Sequence, residues 1–400
     1  MLIKKASCNR QIVLHIGGPK TGTGSIQRAF NPQKPQVSLD LLDKLGFQFL
    51  YSKNNISSNL GPLVNNLSSE NLTTFEKKEW AQSFDLQFDQ LKKSQSKSFV
   101  FSAERLGDPR INRVSCGRTS EFINSIGNVI EVIYYSRSIM SIALSLGLQH
   151  AKSGKSKGIR GMTSIKPTHV VDKYRMYSSE YTSAKMGFYN FERNSLRGGD
   201  VRLDIAYRLA RYENYLPQLE AELVALPNAN EKIDRSMLSI LRSLYHKNGI
   251  DDIKKVPPIF VNFITMGKWT GSPCIHSDLY TAEEIKILYQ LQNQEISILR
   301  EFGADSNLGK ISKAFEKTLK PIDYYMDAEP SKVEIDTYCA EITNAQLTCI
   351  RILLSKMRKL SLRNSQEFKA LLSFESDPMS KTFLVTEMLT YVLSASLLVS

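Results

Sequence analysis

Four short segments are rich in apolar, β-branched or aromatic residues and bounded by polar turns: Gln11–Ile16, 98–102, 129–135 and 187–191. Runs of this length predict strands buried on both faces. Helical or loop patterns separate them. Strand alternating with helix predicts a mostly parallel sheet covered by helices on both sides. After about residue 210 the strand signal fades and helical spacing takes over. Thr281-Ala-Glu-Glu284 has the form of a capping box, followed by Leu288, Leu291, Ile298 and Phe302 at helical intervals. Such a box starts a helix because hydroxyl and carboxylate each satisfy a backbone N–H that the first turn leaves bare. Asp234 is placed to cap another helix, with Leu238, Leu241 and Tyr245 on one face.

Three stretches break this pattern. Residues 50–80 are rich in Asn and Ser and predict an irregular insertion. Residues 153–161 form a basic, glycine-containing loop with Lys155, Lys157 and Arg160. From 313 onward further helices are predicted, and 383–399 is apolar almost all round. A helix of that kind is expected to be buried against the body; a peripheral membrane contact is the alternative. The expected organisation is one domain over 1–312 (an α/β core at 10–210 and a helical part at 211–312) and a helical C-terminal extension over 313–400.

Composition narrows the class. The chain has 400 residues, 42% hydrophobic and 23% charged. Such values belong to globular proteins and exclude a disordered, collagen-like or coiled-coil chain. A mean hydropathy of -0.25 excludes a polytopic membrane protein. The apolar run at 12–16 is too short for a signal peptide core, and no stretch offers the ~20 apolar residues a membrane span needs. The five cysteines form no CxxC pair and fit neither a zinc site nor a disulfide framework. A cytoplasmic location is therefore expected. The formal charge of +12 favours polyanionic partners, among them a phosphorylated small molecule or an acidic glycan.

The chemistry concentrates after the first strand. Ile12-Val-Leu-His-Ile-Gly-Gly-Pro-Lys-Thr-Gly-Thr-Gly-Ser25 runs from a buried strand into a Gly/Thr/Ser turn and then a helical pattern. Glycines let successive N–H groups converge on one anion, and a helix start adds partial positive charge. Lys20 supplies a point charge, and Thr21, Thr23 and Ser25 supply hydroxyls. A Walker A loop is not present. Gly17 and Gly22 have its spacing, but Thr23 stands where it requires lysine.

The order Pro-Lys-Thr-Gly-Thr resembles the 5′-phosphosulfate loop of the sulfotransferases, whose donor is 3′-phosphoadenosine 5′-phosphosulfate (PAPS). LHIGGPKTGTGSIQ is most similar to bacterial carbohydrate-type members, which read LHIG-x-x-KTGT-T-S-x-Q. Gly24 departs from that pattern, replacing the second hydroxyl residue. The resemblance implies donor contacts from Lys20, Thr21, Gly22, Thr23, Gly24 and Ser25, with Lys20 beside the leaving oxygen. It further implies an Arg at a strand end and a Ser eight residues later for the 3′-phosphate. Arg137 and Ser145 have that interval. Positions eight apart share a helix face, and a guanidinium fork suits phosphate oxygens. Ser141 is a competing hydroxyl one turn earlier.

A hydroxyl acceptor needs a general base. Glu104, in Phe101-Ser-Ala-Glu104, stands just past a predicted strand, where open α/β sheets hold ligands. Its segment resembles the Ser-Ser-Glu stretch of the bacterial members, with Ala103 in place of the second Ser. A capping or salt-bridged carboxylate is the other reading. His150 is the second candidate base. His15 reads as a strand histidine, and His169, His246 and His276 as structural. Tyr174, Tyr177 and Tyr181, at helical spacing, offer either sugar-stacking rings or packing against the sheet.

Residues 187–201, with Phe191-Glu-Arg193 and Gly198-Gly-Asp-Val201, resemble a further segment of the bacterial members. Asp200 reads as a helix cap there. The resemblance covers about residues 10–305. It implies a three-layer α/β fold of the P-loop nucleotide-binding type and PAPS-dependent sulfuryl transfer to a carbohydrate or glycolipid hydroxyl. No metal, and no nucleic acid partner, is expected. A nucleotide kinase or NTPase with a divergent loop, and an inactive module that binds the desulfated donor product, adenosine 3′,5′-bisphosphate (PAP), are the alternatives.

Overall fold

The computed structural model describes residues 10–18, 20–31, 36–50, 60, 64, 98–108, 113–152, 166–211, 213–225, 233–247, 273–303 and 307–326. The Asn/Ser-rich insertion beyond Leu50 (apart from Leu60 and Val64), the basic loop at 153–161 and the extension beyond 326 lie outside these residues. The chain divides into two compact units. The first comprises Met1–Ile142, Thr163–Pro227 and Gln290–Leu319; the second comprises Ala143–Met162, Asn228–Tyr289 and Lys320–Ser400.

The first unit is built on five strands, β1 (Gln11–Ile16), β2 (Phe47–Phe49), β3 (Ser98–Ala103), β4 (Asn128–Ser136) and β5 (Lys185–Asn190). They form one sheet in the order β2-β3-β1-β4-β5, with every pair parallel. The fold is therefore α/β with a parallel sheet flanked by helices. The four runs read from the sequence are strands, each within two residues of its expected bounds. The three-residue edge strand β2 is an addition. It is too short to show periodicity, and it is held by its rings: Phe47 and Phe49 lie 5.9 and 5.2 Å from the Phe30 ring.

The chain leaves β1 for β2 and β3 on one side, then crosses to β4 and β5 on the other. β1 is thus the point where winding reverses, and open α/β sheets bind ligands outside the carboxyl ends of the strands at such a point. Strand alternation sends Val13, Val100, Ile133 and Tyr135 to one face. There they meet α1 (Thr23–Ala29), α2 (Leu39–Leu45) and two later helices, Val201–Leu209 and Leu216–Val224. Ile12, Leu14, Phe101, Val132 and Tyr134 go to the other face. That face is covered by α3 (Arg113–Ile126), a helix at His169–Glu180, the later part of a helix at Ala282–Phe302, and one at Asn307–Thr318. Between α3 and these comes α4 (Ile139–Lys152), so the covering helices become α5 (His169–Glu180), α6 (Val201–Leu209) and α7 (Leu216–Val224).

The second unit contains the end of α4, α8 (Arg235–Lys247) and the start of α9 (Ala282–Phe302); α10 (Asn307–Thr318) belongs to the first unit. Asp234 caps α8 by accepting the Met237 N–H at 2.8 Å, and Leu238, Leu241 and Tyr245 are its buried face. The Thr281 N–H donates to the Glu284 carboxylate at 2.9 Å and the Glu284 N–H to the Thr281 hydroxyl at 3.3 Å, so the capping box forms. Asp200 caps α6 by accepting the Arg202 N–H at 2.8 Å. Among the described residues no helix is long and apolar enough to cross a membrane.

Candidate functional site

The loop after β1 is held in a strained shape. Lys20 is the one described non-glycine residue with positive φ, at 57°. That conformation costs an L-residue about 1–2 kcal/mol. Gly22 follows at φ 72°, where a side chain would also run into Val201 and Phe191. The Thr21 hydroxyl is turned inward and donates to the Gly18 carbonyl at 2.8 Å. α1 then starts at Thr23. Gly24 is exposed and a Cβ there would meet nothing within 4 Å, while Ser25 is half-buried.

A second glycine shapes the loop from a distance. A Cβ on Gly107 would stand 1.6 Å from the Gly17 carbonyl oxygen. The turn after β3 therefore needs glycine at 107 to let the β1 loop pass. Nothing local to that turn signals this, because the obstacle is a backbone ninety positions earlier.

Arg137 follows β4 directly. Its Nη1 donates to the Lys20 carbonyl at 3.2 Å, and its guanidinium lies 5.5 Å from the Phe191 ring centroid. Burial holds the Arg137 pKa below its ordinary value, opposed by the nearby Glu192 carboxylate. Partial burial likewise lowers the Lys20 ammonium; the Glu104 charge opposes this and the Arg137 charge adds to it. Three sequence-distant candidates, Lys20, Glu104 and Arg137, thus interact at the carboxyl ends of β1, β3 and β4. Glu104 is exposed and opens a short 3-10 turn, Glu104–Gly107. Ser145 and His150 are half-buried on the part of α4 that belongs to the second unit.

Below the loop is a buried network. His15 Nδ1 lies 2.9 Å from the Ser102 hydroxyl, which also accepts from Gln27 Nε2 at 3.0 Å. It ties β1, β3 and α1 together. Burial pulls the His15 pKa down to about 3, so its ring is neutral at pH 7. Around this network several buried polar atoms have no hydrogen-bond partner among the described residues: His15 Nε2, Thr23 Oγ1, Ser136 Oγ and Arg137 Nε. Thr23 and Ser136 are 3% and 1% exposed. Native proteins pair most buried polar atoms, so these unpaired atoms beside a cationic loop make this the candidate ligand site.

Comparison with protein-family models, curated proteins and solved structures finds no match.

The tyrosine stripe is packing. The Tyr177 hydroxyl donates to the Leu106 carbonyl at 3.0 Å, Tyr181 accepts from Ser120 at 2.8 Å, and the Tyr174 ring stacks edge-on to Phe188. His169 is buried and its Nε2 lies 3.1 Å from the Tyr134 hydroxyl. His276 is buried edge-on to Tyr325, and His246 is exposed. Ser136 carried no signal of its own in the sequence, and Phe191 and Glu192 carried only that of the Phe191-Glu-Arg193 resemblance. Their part in the site comes from the register of β4 and β5, which pairs Ser136 with Asn190 and sets the next residues of both strands side by side.

Proposed function

We propose that this chain is a sulfotransferase of P-loop-like α/β fold, which moves a sulfuryl group from PAPS to a hydroxyl of a carbohydrate or glycolipid. The observation that carries the reading is the hydrogen bond from Arg137 to the Lys20 carbonyl. It joins the two halves of the motif set, the Lys/Thr/Gly loop and the strand-end arginine, which lie 117 positions apart. The unpartnered Thr23, Ser136 and Arg137 atoms are the donor types a phosphate-rich ligand requires. PAPS, when bound, supplies the sulfuryl group and an adenosine bisphosphate leaving group.

In this reading Lys20 donates to the leaving oxygen as negative charge grows there. Its lowered pKa favours that role, since a partly desolvated ammonium interacts more strongly with an anion. Glu104 takes the acceptor hydroxyl's proton from outside the end of β3, and its exposure keeps it open to an incoming acceptor. His150 is the second candidate base. Ser145 enters by its motif spacing alone.

Titration calorimetry decides the donor class. PAP is compared with AMP and with ATP, each with and without Mg²⁺. Tight metal-independent PAP binding, weakened about a hundredfold by Arg137→Ala, is the expected result. Mg²⁺-dependent ATP binding without PAP binding would overturn the proposal in favour of a kinase or NTPase.

A further inference from the structure

Arg137 has the Glu192 carboxylate within electrostatic reach. The Phe191 N–H donates to the Ser136 carbonyl at 2.8 Å, which fixes the exit of β5 against that of β4. The Glu192 N–H donates to the Asn190 side-chain carbonyl at 3.3 Å, and Asn190 is itself anchored to Ser195 at 2.9 Å. The Glu192 side chain then accepts the Ser141 hydroxyl at 3.0 Å, on the first turn of α4. Glu192 is therefore held half-buried within electrostatic reach of the guanidinium, close behind Phe191, whose ring centroid lies 5.5 Å from that group. The Arg137 Nε remains buried and without a hydrogen-bond partner among the described residues.

We propose that Glu192 is a specificity residue: it accepts the ribose 2′-hydroxyl of the donor while Arg137 takes the adjacent 3′-phosphate. The inference rests on the sulfotransferase reading. A guanidinium with a carboxylate in electrostatic reach matches a vicinal phosphate and hydroxyl, one acceptor-rich and one able to donate. The same carboxylate repels a phosphate at the 2′ position. A carboxylate serving a ribose hydroxyl and excluding a 2′-phosphate is known chemistry in dinucleotide sites. Discrimination of this type is strong because the wrong ligand leaves a buried charge facing like charge.

The test uses calorimetric titration of the full chain with three probes: adenosine 3′,5′-bisphosphate, adenosine 2′,5′-bisphosphate and 2′-deoxyadenosine 3′,5′-bisphosphate. The unsubstituted protein is expected to bind the first at least about tenfold tighter than either of the others. Glu192→Gln keeps an acceptor for Ser141 but removes the charge. It should raise affinity for the 2′,5′ isomer about tenfold and leave the 3′,5′ isomer within about threefold. Glu192→Ala should abolish the advantage of the ribo over the 2′-deoxy ligand. Equal binding of the two isomers by the unsubstituted protein would overturn the proposal without any variant. Uniform weakening of all three probes by Glu192→Gln would also overturn it, reducing Glu192 to a counter-ion. Binding of neither 3′,5′ compound would instead sink the sulfotransferase reading, and this inference with it.

Discussion

Tyr135 and Ser136 are neighbours on β4, both buried, and they face opposite layers. Behind Tyr135 the polar atoms are fully used. Its hydroxyl donates to Asp204 at 2.7 Å, and Asp204 also accepts from Arg208 Nε at 2.7 Å, Arg208 Nη2 at 3.1 Å and the Arg197 N–H at 3.1 Å. Asp204 is 1% exposed. At Ser136 and the β1 loop the reverse holds: among the described residues Ser136 Oγ, Thr23 Oγ1 and Arg137 Nε have no hydrogen-bond partner. The two regions share one sheet and similar burial. What separates them is satisfaction: a buried carboxylate with all its lone pairs used holds α6 to the sheet, whereas unpaired donors lower stability, a cost that a ligand of the proposed kind would offset.

The largest expected effect breaks the satisfied region. Asp204→Ala leaves the Arg208 guanidinium and the Tyr135 hydroxyl without their shared acceptor, and should cost about 3–5 kcal/mol by urea denaturation. Lys20→Ala should leave unfolding unchanged within about 0.5 kcal/mol. It should lower sulfuryl transfer about a hundred- to a thousandfold in a steady-state assay with a sugar acceptor panel. If Lys20→Ala unfolds the chain and Asp204→Ala does not, the comparison is inverted. Thr23→Val replaces an unpartnered hydroxyl by a methyl of the same shape. Its expected signature is PAP affinity lower by about tenfold with no loss of stability, read by calorimetry and thermal melting together.

A pH series sharpens the contrast. Glu295, 2% exposed, accepts from Gln292 at 3.0 Å and from the Ile139 N–H at 3.4 Å. Burial pushes its carboxyl up to about 8 from an ordinary 4.5. The folded state thus holds this proton more tightly than the unfolded state. Its contribution to stability is full below 4.5 and is lost as pH rises through 8. His15 and His169, both drawn down to about 3, act in the opposite sense and only below about 6.5. Between pH 6.5 and 8 the Glu295 effect stands apart from theirs, with a slope of at most about 1.4 kcal/mol per pH unit. Urea midpoints should fall with pH there and become flatter in Glu295→Gln. The smallest effect is Gly24→Thr. Open space at that position admits the side chain, so PAP affinity should rise a few-fold, about 0.5–1 kcal/mol. A drop in affinity would show that the glycine is required.

Much of the framework was legible from the chain alone. β1, the loop after it, and the caps at Asp200, Asp234 and Thr281 depend on neighbours a few residues away, so their signals are local. Lys20 and Arg137 were legible as residue types in a recognisable order, but the hydrogen bond between them was not. Gly107 was not legible, since it acts against a backbone far off in sequence, and Glu192 was legible only within Phe191-Glu-Arg193, not as a neighbour of Arg137. The tyrosine stripe shows the same limit: helical spacing announced a face, and only the sheet decided that it packs and does not stack on a sugar.

By itself the sequence determined the α/β class of the fold, its buried strands and the cationic glycine loop, because burial periodicity, turn chemistry and capping are short-range. Tertiary structure decided the strand order, the reversal at β1 and which polar atoms go unpaired. Those depend on which distant segments share a strand edge, and hydrogen-bond satisfaction has no counterpart in a linear pattern.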